Sequence, residues 1–433
     1  MEKLLQHIWQ HRLIPPSELR TTDNRILQII NPGLLNTDAG PDFFNATVKI
    51  DDQTWAGNIE IHIKASDWYA HNHHSDPAYQ TIILHVVLIS DTHIKRPDGT
   101  TIPQFQLTLS PDLHEAYEKL TNQSPYDLPC ENTLHTVPQI YISDWINALA
   151  YQRVQQKADA INLIRTQLQG NWEESAYITL FRTLGASKNS DPLERLARRT
   201  PLSILRHQAD DLFATEAILM GQAGLIPEKC EPGTYPYELM REYRHYAAKH
   251  ALKPLPASSW QMGRMRPHNF PHRRIALMAS IINRNPNIFR TLLNITTEEH
   301  LRELMQAPLS DYWQKHYTFN PDSTEIKTAA VGATTRHLVM INAIVPLRYA
   351  YFNHLGNTES ADNAIQALHA IPSEENRIVD IFKNAGLKSN TAFTSQALIQ
   401  LRRNYCEPRK CIYCRLGHRH LLNHSYNPIR LSR

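Results

Sequence analysis

An acid and histidine cluster between residues 38 and 85 contains the side chains of this sequence best suited to chemistry. Its central segment, Asn58 to Lys64, alternates strictly between polar residues and isoleucines. Because successive side chains of a β-strand point to opposite faces, an acid, an imidazole and an amine are expected in one row. Such a row can bind a metal ion and move a proton. The three side chains are those of Glu60, His62 and Lys64.

A second acid, Asp42, precedes the same predicted hairpin. Two carboxylates that converge at a sheet edge suit a hard divalent ion such as Mg²⁺ or Mn²⁺, which prefers oxygen ligands. Neutral imidazoles nearby shift the preference toward Mn²⁺, Zn²⁺ or Fe²⁺. The residue types therefore predict a divalent ion at Asp42 and Glu60 and leave its identity open. An alternating strand with its polar face in water would show the same pattern.

The loop after this strand permits a rival metal site. It contains His71, His73 and Asp76, which could bind an ion themselves, and exposed polar residues on a loop are the alternative. His85 is the single polar side chain of the apolar run Ile82 to Ile89. It could join the rival site or be a hydrogen-bonded residue of the core.

The order Pro41-Asp42, hairpin, Glu60-Ile61-His62 resembles the core of the PD-(D/E)XK phosphodiesterase superfamily, with His in place of the usual Lys. The resemblance covers about residues 36 to 90. It implies that Asp42, Glu60 and the Ile61 carbonyl bind the metal. It also implies that His62 or Lys64 positions or deprotonates the attacking water.

Three cysteines near the C-terminus form the second candidate metal site. Cys406, Cys411 and Cys414 are spaced closely enough to share one ion, and His418 or His420 could supply a fourth ligand. A structural zinc knuckle is the favoured interpretation; an iron–sulfur cluster, which usually needs a fourth cysteine, and free thiols are the alternatives. Cys130 and Cys230 stand alone in the sequence and are interpreted as ordinary thiols.

Two basic segments are candidates for binding phosphate. The segment Trp260 to Arg274 contains four arginines and no acid, and a helix is predicted to begin near Pro271. Residues 396–433 contain eight Arg or Lys against Glu407, a balance of +7 that favours a polyanion such as DNA or RNA. Arginines that bridge domains, and a tail that docks on the protein itself, are the alternatives. The four arginines are Arg264, Arg266, Arg273 and Arg274.

The elements that position these residues change character near residue 138. Strands are predicted at 26–30, 45–50, 55–64, 81–89 and 102–109. Helices dominate after Ser143 and are predicted at 143–169, 172–184, 191–222, 236–251, 271–284, 297–306, 334–355, 359–370, 374–384 and 391–404. The sequence therefore predicts an α+β protein with a β-rich domain over 1–138, a helical domain over 139–395 and a basic cysteine-containing tail over 396–433. Pro346 is expected to kink or break an apolar helix.

Length and composition fit a globular chain of two or three domains: 433 residues, 42% hydrophobic and 20% charged, with a net charge of +3. Five cysteines are too few for a disulfide framework. No apolar run approaches the roughly 18 residues of a membrane-spanning helix, and the N-terminus lacks a signal-peptide core. The expected location is the cytoplasm. The oligomeric state is not predicted.

Several motifs together resemble the bacterial proteins grouped as domain-of-unknown-function family 2851. This resemblance supports the domain boundaries and implies no particular activity. The motifs are Ala39-Gly-Pro-Asp-Phe43, Gly57-Asn-Ile-Glu-Ile-His62, Ser66-Asp-Trp68 with His71, His73 and Asp76, Leu84-His-Val-Val87, Arg266-Pro-His-Asn-Phe-Pro271 and Thr394-Ser-Gln396 with the three following cysteines.

Three functions are consistent with these features. The first is a metal-dependent phosphodiesterase, nuclease-like, in which the β-rich domain binds Mg²⁺ or Mn²⁺ and the arginines bind phosphates. The second is a noncatalytic nucleic-acid-binding or assembly protein whose acid and histidine cluster is structural. The third is a zinc or manganese hydrolase that acts on a small molecule through the histidines.

Overall fold

The computed structural model describes residues 1–14, 17–122, 128–186, 188–319 and 331–425. By their internal contacts these residues form two compact units. The β-rich unit comprises Met1–Trp145, Ile381–Leu387 and the chain from Leu401 onward, and the helical unit comprises Ile146–Asp380 and Lys388–Gln400. The C-terminal segment therefore belongs with the β-rich unit. Within the described ranges, no helix is both long and apolar enough to cross a membrane.

All named strands of the described residues belong to one sheet, with the order β1-β2-β4-β5-β6-β7 and β3 paired to β4. The strands from β1 to β5 pair antiparallel, whereas β5, β6 and β7 run parallel. The predicted α+β class is confirmed. The strands are β1 (Leu19–Arg20), β2 (Ile26–Asn31), β3 (Leu34–Leu35), β4 (Phe43–Ile50), β5 (Gln53–Lys64), β6 (Ile82–Ile89) and β7 (Gln104–Gln106).

Apolar periodicity predicted the segments of most of the α-helices but missed seven, including those at 2–10, 111–122 and 415–423. The described residues form twenty α-helices. They are α1 (Glu2–Gln10), α2 (Asp67–Ala70), α3 (Pro111–Asn122), α4 (Glu131–Leu134), α5 (Gln139–Gln167), α6 (Trp172–Leu184), α7 (Ser190–Arg199), α8 (Leu202–Arg206), α9 (Leu212–Gln222), α10 (Tyr235–His250), α11 (Pro271–Arg284), α12 (Ile288–Asn294), α13 (Glu298–Met305), α14 (Asp311–Lys315), α15 (Ala333–Val339), α16 (Val345–His354), α17 (Thr358–Gln366), α18 (Arg377–Asn384), α19 (Ala392–Leu401) and α20 (Arg415–Asn423).

The two faces of the sheet bury different kinds of side chain. Ile59 and Ile61 of β5 join the main core of the β-rich unit, where α1 contributes Leu4, Ile8 and Trp9. The opposite face carries a smaller apolar cluster that includes Trp68 and Tyr79. Strict alternation along β5 therefore assigns Glu60 and His62 to the face of the smaller cluster.

The helical unit departs from the periodicity at two positions with a local cause. The single helix predicted over 191–222 is divided into α7, α8 and α9. Pro201 disfavours helical geometry at Thr200, and the Asp211 side chain accepts a hydrogen bond from the backbone N–H of Ala214 and starts α9. Near Pro346, which sits in the first turn of α16, the helix continues through a π-helical segment, Met340–Ile344.

Glu216 of α9 is fully buried and accepts a hydrogen bond from the Tyr235 hydroxyl of α10. Burial raises the pKa of Glu216 from 4.5 to about 7. Because the folded-state pKa lies above the unfolded one, its proton-linked stabilisation is complete below pH 4.5 and is lost as the pH rises to about 7.

We therefore expect Glu216→Gln to raise the free energy of unfolding at pH 8 by about 1–3 kcal/mol, and to change it little at pH 4.5. Urea unfolding at both pH values measures this difference. Glu228→Gln, at an exposed position, is the matched control and should leave the pH dependence intact. An equal effect of Glu216→Gln at both pH values would contradict the assignment.

Candidate metal centre

The parallel strands of the sheet place a row of polar side chains across its centre. Glu60 of β5 is paired with His85 of β6, and His85 is paired with Gln104 of β7. All three residues are at most 4% exposed. Paired residues on neighbouring strands share a face, so the apolar run of β6 contributes its one imidazole to the face that carries Glu60 and His62.

Asp42 and Glu60 are brought together, as the sequence predicts. The Asp42 backbone N–H donates to Glu60 Oε2 at 3.1 Å, and the Ile61 backbone N–H donates to Asp42 Oδ2 at 3.0 Å. The Gln6 side chain donates to Asp42 Oδ1 at 2.9 Å. Both oxygens of Asp42 are therefore engaged, while Glu60 keeps Oε1 free for other partners.

The free oxygen of Glu60 faces the imidazoles of the predicted cluster. Glu60 Oε1 lies 3.5 Å from His62 Nε2 and 3.4 Å from His73 Nε2. His71 Nδ1 lies 3.2 Å from His62 Nε2, and one ligand nitrogen from each of the three histidines falls within 4.8 Å of the others. The predicted carboxylate site and the predicted rival histidine site are thus one cluster.

These spacings fit a metal ion. Ligands about 2.1 Å from a tetrahedral ion are separated from one another by about 3.4 Å. The contacts of Glu60 Oε1 with the two imidazoles, and that of His71 with His62, are within a few tenths of an ångström of this value. One carboxylate and three imidazoles are a donor set for Zn²⁺, Mn²⁺ or Fe²⁺ rather than for Mg²⁺.

Burial sets the charge of this cluster. It raises the pKa of both Asp42 and Glu60, and the proximity of Glu60 raises that of Asp42 further. It also lowers the pKa of His62 and His85 to about 3, with the neighbouring histidines acting in the same direction. The raised pKa of Glu60 and the lowered pKa of His62 both disfavour an ion pair between these two groups. Neutral imidazoles are also the form that binds metal.

His85 is placed to orient His62. His62 Nδ1 and His85 Nε2 are 2.8 Å apart in a fully buried contact, so one of them carries the shared proton. When His62 donates from Nδ1, its Nε2 presents a lone pair to the Glu60 and His71 side. His85 Nδ1 has no hydrogen-bond partner. This is the arrangement in which a second residue fixes the tautomer of a metal ligand.

Two residues predicted for this site lie outside the donor cluster. Lys64 is exposed at the end of β5, and its backbone N–H donates to the Asp67 side chain. The Asp76 side chain accepts from the backbone N–H of Ala78 and caps the 3₁₀ turn Pro77–Tyr79. Both carry out local structural tasks in this structure, and their catalytic and metal-binding roles remain predictions.

Sequence reasoning missed the contribution of α1. Gln6 holds Asp42 from this helix, and Glu2 is close enough to raise the pKa of both Asp42 and Glu60. The signal was present: Leu4, Leu5 and Ile8 recur with helical spacing near the N-terminus. Sequence reasoning also missed that the rings of Trp68 and Tyr79 pack against His73 and cover one side of its imidazole.

A second imidazole cluster joins α1 to α20. His7, His11 and His418 each place one ligand nitrogen within 4.8 Å of the other two, and His418 Nδ1 lies 3.1 Å from His7 Nε2. His7 lies in the last turn of α1 and His11 directly follows the helix, and their ring centres are 4.5 Å apart. His418, predicted as the fourth ligand of the cysteine site, is therefore in contact with histidines that could hold a divalent ion themselves.

The basic C-terminal segment packs against the rest of the β-rich unit. Arg415 forms an ion pair with Asp144 and lies over the Trp145 ring, and the Arg419 guanidinium is 3.6 Å from the Tyr141 ring centre. This supports docking of the tail on the protein itself, one of the two predicted alternatives. Arg430 and Arg433 lie outside the described residues.

The predicted phosphate-binding arginines gather in the helical unit. Arg264, Arg266, Arg273 and Arg274 line a cavity of about 590 Å³ together with Lys188, and the described lining contains no acid. Arg273 and Arg274 are 5% and 7% exposed, and burial lowers the pKa of Arg274 to about 10. Arg274 Nε has no hydrogen-bond partner and Arg274 lies in the first turn of α11. The cavity therefore has the charge and the free donor of an anion site.

Comparison with known proteins identifies the family of this chain but assigns it no activity. No curated protein and no solved structure matches the chain. One family model matches residues 2–377, a range that contains every residue of the donor cluster and of the arginine cavity and ends before the three C-terminal cysteines. Since the match spans most of the chain, this protein belongs to the family described as Protein of unknown function (DUF2851).

Proposed function

We propose that this protein is a metal-dependent phosphodiesterase that cleaves nucleic acid. The observation that carries the proposal is the convergence of Glu60 Oε1 with His62 Nε2 and His73 Nε2 at 3.4–3.5 Å, beside a second buried acid, Asp42. A purely structural cluster has no need to bury two carboxyl groups and several imidazoles against one another, because each costs free energy to desolvate.

The donor set supports a borderline transition ion as the cofactor. A divalent ion held there would lower the pKa of a bound water and polarise the phosphate of a substrate. His62, His71 and His73 would supply ligands, and Glu60 Oε1, near His62 and His73, could supply another. Asp42 lies beside Glu60 with both oxygens held by Gln6 and Ile61. Mn²⁺ accepts this mixture of oxygen and nitrogen more readily than Mg²⁺ does.

The surrounding residues have separate tasks in this proposal. His85 fixes the tautomer of His62, while Trp68 and Tyr79 keep water away from the inner side of His73. His71 is exposed, so the ion would be reached from its side. A water oxygen would attack phosphorus as the bond to the leaving oxygen breaks. The water proton would pass to a side chain of the cluster, and the leaving oxygen would take a proton from solvent.

Nucleic acid is favoured as the substrate by the arginine cavity of the helical unit. Five cationic side chains without an acid in the described lining suit phosphate, and the buried Arg274 keeps an unpaired Nε. A site for a small neutral substrate has no use for this density of positive charge.

The first prediction of this proposal concerns the two acids. We expect Glu60→Gln and Asp42→Asn to lower the rate of DNA or RNA cleavage by roughly a hundredfold or more, because each removes a group that holds or borders the ion. Cleavage should be faster with Mn²⁺ than with Mg²⁺. The measurement is single-turnover cleavage of labelled single- and double-stranded substrates in each metal.

Asp52→Asn is the matched control, since Asp52 is a fully exposed acid in the turn of the same hairpin and forms only a 3.9 Å contact with Lys49. It should cleave like the wild type. If the wild type cleaves neither DNA nor RNA in any metal, or if both acid variants cleave as fast as Asp52→Asn, the phosphodiesterase proposal is lost. Retained nucleic-acid binding without cleavage would then favour the noncatalytic alternative.

The second prediction separates His85 from the ligands. His85→Leu should weaken Mn²⁺ binding by about 10- to 100-fold, because His62 loses the partner that fixes its tautomer. His85→Gln, which still offers a hydrogen-bond acceptor, should restore part of this affinity. Competition between Mn²⁺ and a fluorescent metal indicator measures both. Equal affinities in the two variants would assign His85 to packing alone.

The third prediction concerns the arginine cavity. Arg266 is an exposed residue of the cavity lining, so Arg266→Gln should leave the fold intact and weaken nucleic-acid binding. The slope of log binding constant against log salt concentration should become smaller in magnitude by about 1. Arg290→Gln makes the same charge change at an exposed position outside the cavity and serves as control. Identical salt slopes for the two variants would remove the cavity from the binding surface.

A further inference from the structure

Four of the five cysteines of the chain line one small cavity in the β-rich unit. Cys130 lies directly before α4, and the other three belong to the C-terminal segment. The cavity encloses about 20 Å³, and the side chains of Leu120, Leu401 and Leu416 contribute to its apolar lining. A space of this size accommodates one atom-sized occupant, so distant parts of the chain meet around a volume suited to an ion.

Each C-terminal cysteine sits where a helical element begins or ends. Cys406 ends the π-helical segment Arg402–Cys406, Cys411 begins the 3₁₀ turn Cys411–Tyr413, and Cys414 precedes α20. The first turn of α20 approaches this loop closely, because a Cβ at Gly417 would lie 2.2 Å from the Cys411 carbonyl oxygen. Glycine at this position therefore permits the tight loop that gathers the thiols.

The environment of the thiols fits a bound cation. Burial raises the pKa of all four, that of Cys411 to about 11, so without a cation they stay protonated. Cys411 Sγ has one weak contact, 3.6 Å to the Leu120 carbonyl oxygen. The guanidinium group of Arg402 lowers the pKa of Cys406, and that of Arg409 lowers the pKa of Cys411. These two cations would balance part of the negative charge of four ionised thiols.

We propose that Cys130 completes a four-thiolate metal site with Cys406, Cys411 and Cys414. Tetrahedral sulfur coordination selects Zn²⁺ or an iron–sulfur cluster, and binding releases the four thiol protons without any change of sulfur oxidation state. The cavity volume suits a single Zn²⁺, while the spacing of four and two residues between the C-terminal cysteines also occurs in iron–sulfur proteins.

Binding requires the thiol side chains to move closer together. No three of the four sulfurs lie mutually within 4.8 Å in the structure. Sulfurs about 2.3 Å from one tetrahedral ion are about 3.8 Å apart, so binding requires the sulfurs to approach one another, and rotation about each Cα–Cβ bond moves them. The site needs no nitrogen ligand, which leaves His418 to its contacts with His7 and His11.

The test begins with the intact chain, purified without oxygen or chelator and analysed for zinc, iron and acid-labile sulfide. We expect close to one equivalent of zinc, or iron with matching sulfide, in addition to any metal of the imidazole clusters. X-ray absorption at the metal edge, in a chain carrying His7→Ala and His73→Ala, should show four sulfur neighbours at about 2.3 Å. This measurement needs no cysteine variant and so stands even if such variants fold poorly.

Cysteine variants identify the fourth ligand. Cys130→Ser removes one of four thiolates and should lower the sulfur-to-metal charge-transfer absorption of the Co²⁺-substituted or iron-loaded protein, whereas Cys230→Ser and His418→Ala should retain it in full. Cys230 is the matched control because it is the remaining cysteine and belongs to the helical unit. Cleavage activity is not the readout, so this result and that for the proposed phosphodiesterase are independent.

Three outcomes would overturn the proposal. The first is the absence of zinc and iron from the chain that carries His7→Ala and His73→Ala, which would mean that any metal of the wild type is bound by the imidazole clusters. The second is an absorption spectrum fitted by three sulfurs and one nitrogen, with loss of the charge-transfer band in His418→Ala. The third is an unchanged charge-transfer band in Cys130→Ser.

Discussion

The pairing of Glu60 with His85 across parallel strands β5 and β6 is the constraint on which the β-rich unit depends. It buries an acid and an imidazole in the middle of a sheet, where charge is expensive, and so their neighbours must satisfy them. The backbone of Asp42, the ring of His62 and the loop that carries His73 all fulfil this requirement. The resulting cluster is closely spaced and rich in lone pairs, and the proposed binding of a divalent ion rests on these two properties.

The C-terminal segment and the N-terminal helix belong to the same unit although they lie at opposite ends of the described chain. Helix α1 holds Asp42 through Gln6 and contacts His418 of α20 through His7. The cysteine loop packs against Leu120 of α3 and shares its cavity with Cys130. A metal bound by the four thiols would therefore fasten the chain end to the unit that carries the candidate metal centre, since such binding contributes directly to folding free energy.

Much of the local structure and part of the site follow from the sequence. The alternation of residues 58–64 predicted β5 and the face that Glu60 and His62 share, because a strand has a fixed period of two. Helical periodicity predicted α6 and α11 at their observed bounds. It did not predict the breaks around α8, where Pro201 and the cap at Asp211 override an apolar pattern.

What the sequence by itself determined is the inventory: which strands carry acids and imidazoles, which segments are helical, and which three cysteines are close neighbours. The tertiary structure alone decided which of these groups meet. It merged the carboxylate and histidine sites through Glu60 Oε1, moved His418 to the imidazoles of α1, and brought Cys130 to the C-terminal cysteines. The physical reason is that local periodicity sets the direction of a side chain within its own element, whereas contacts between distant segments depend on how strands pair and helices pack.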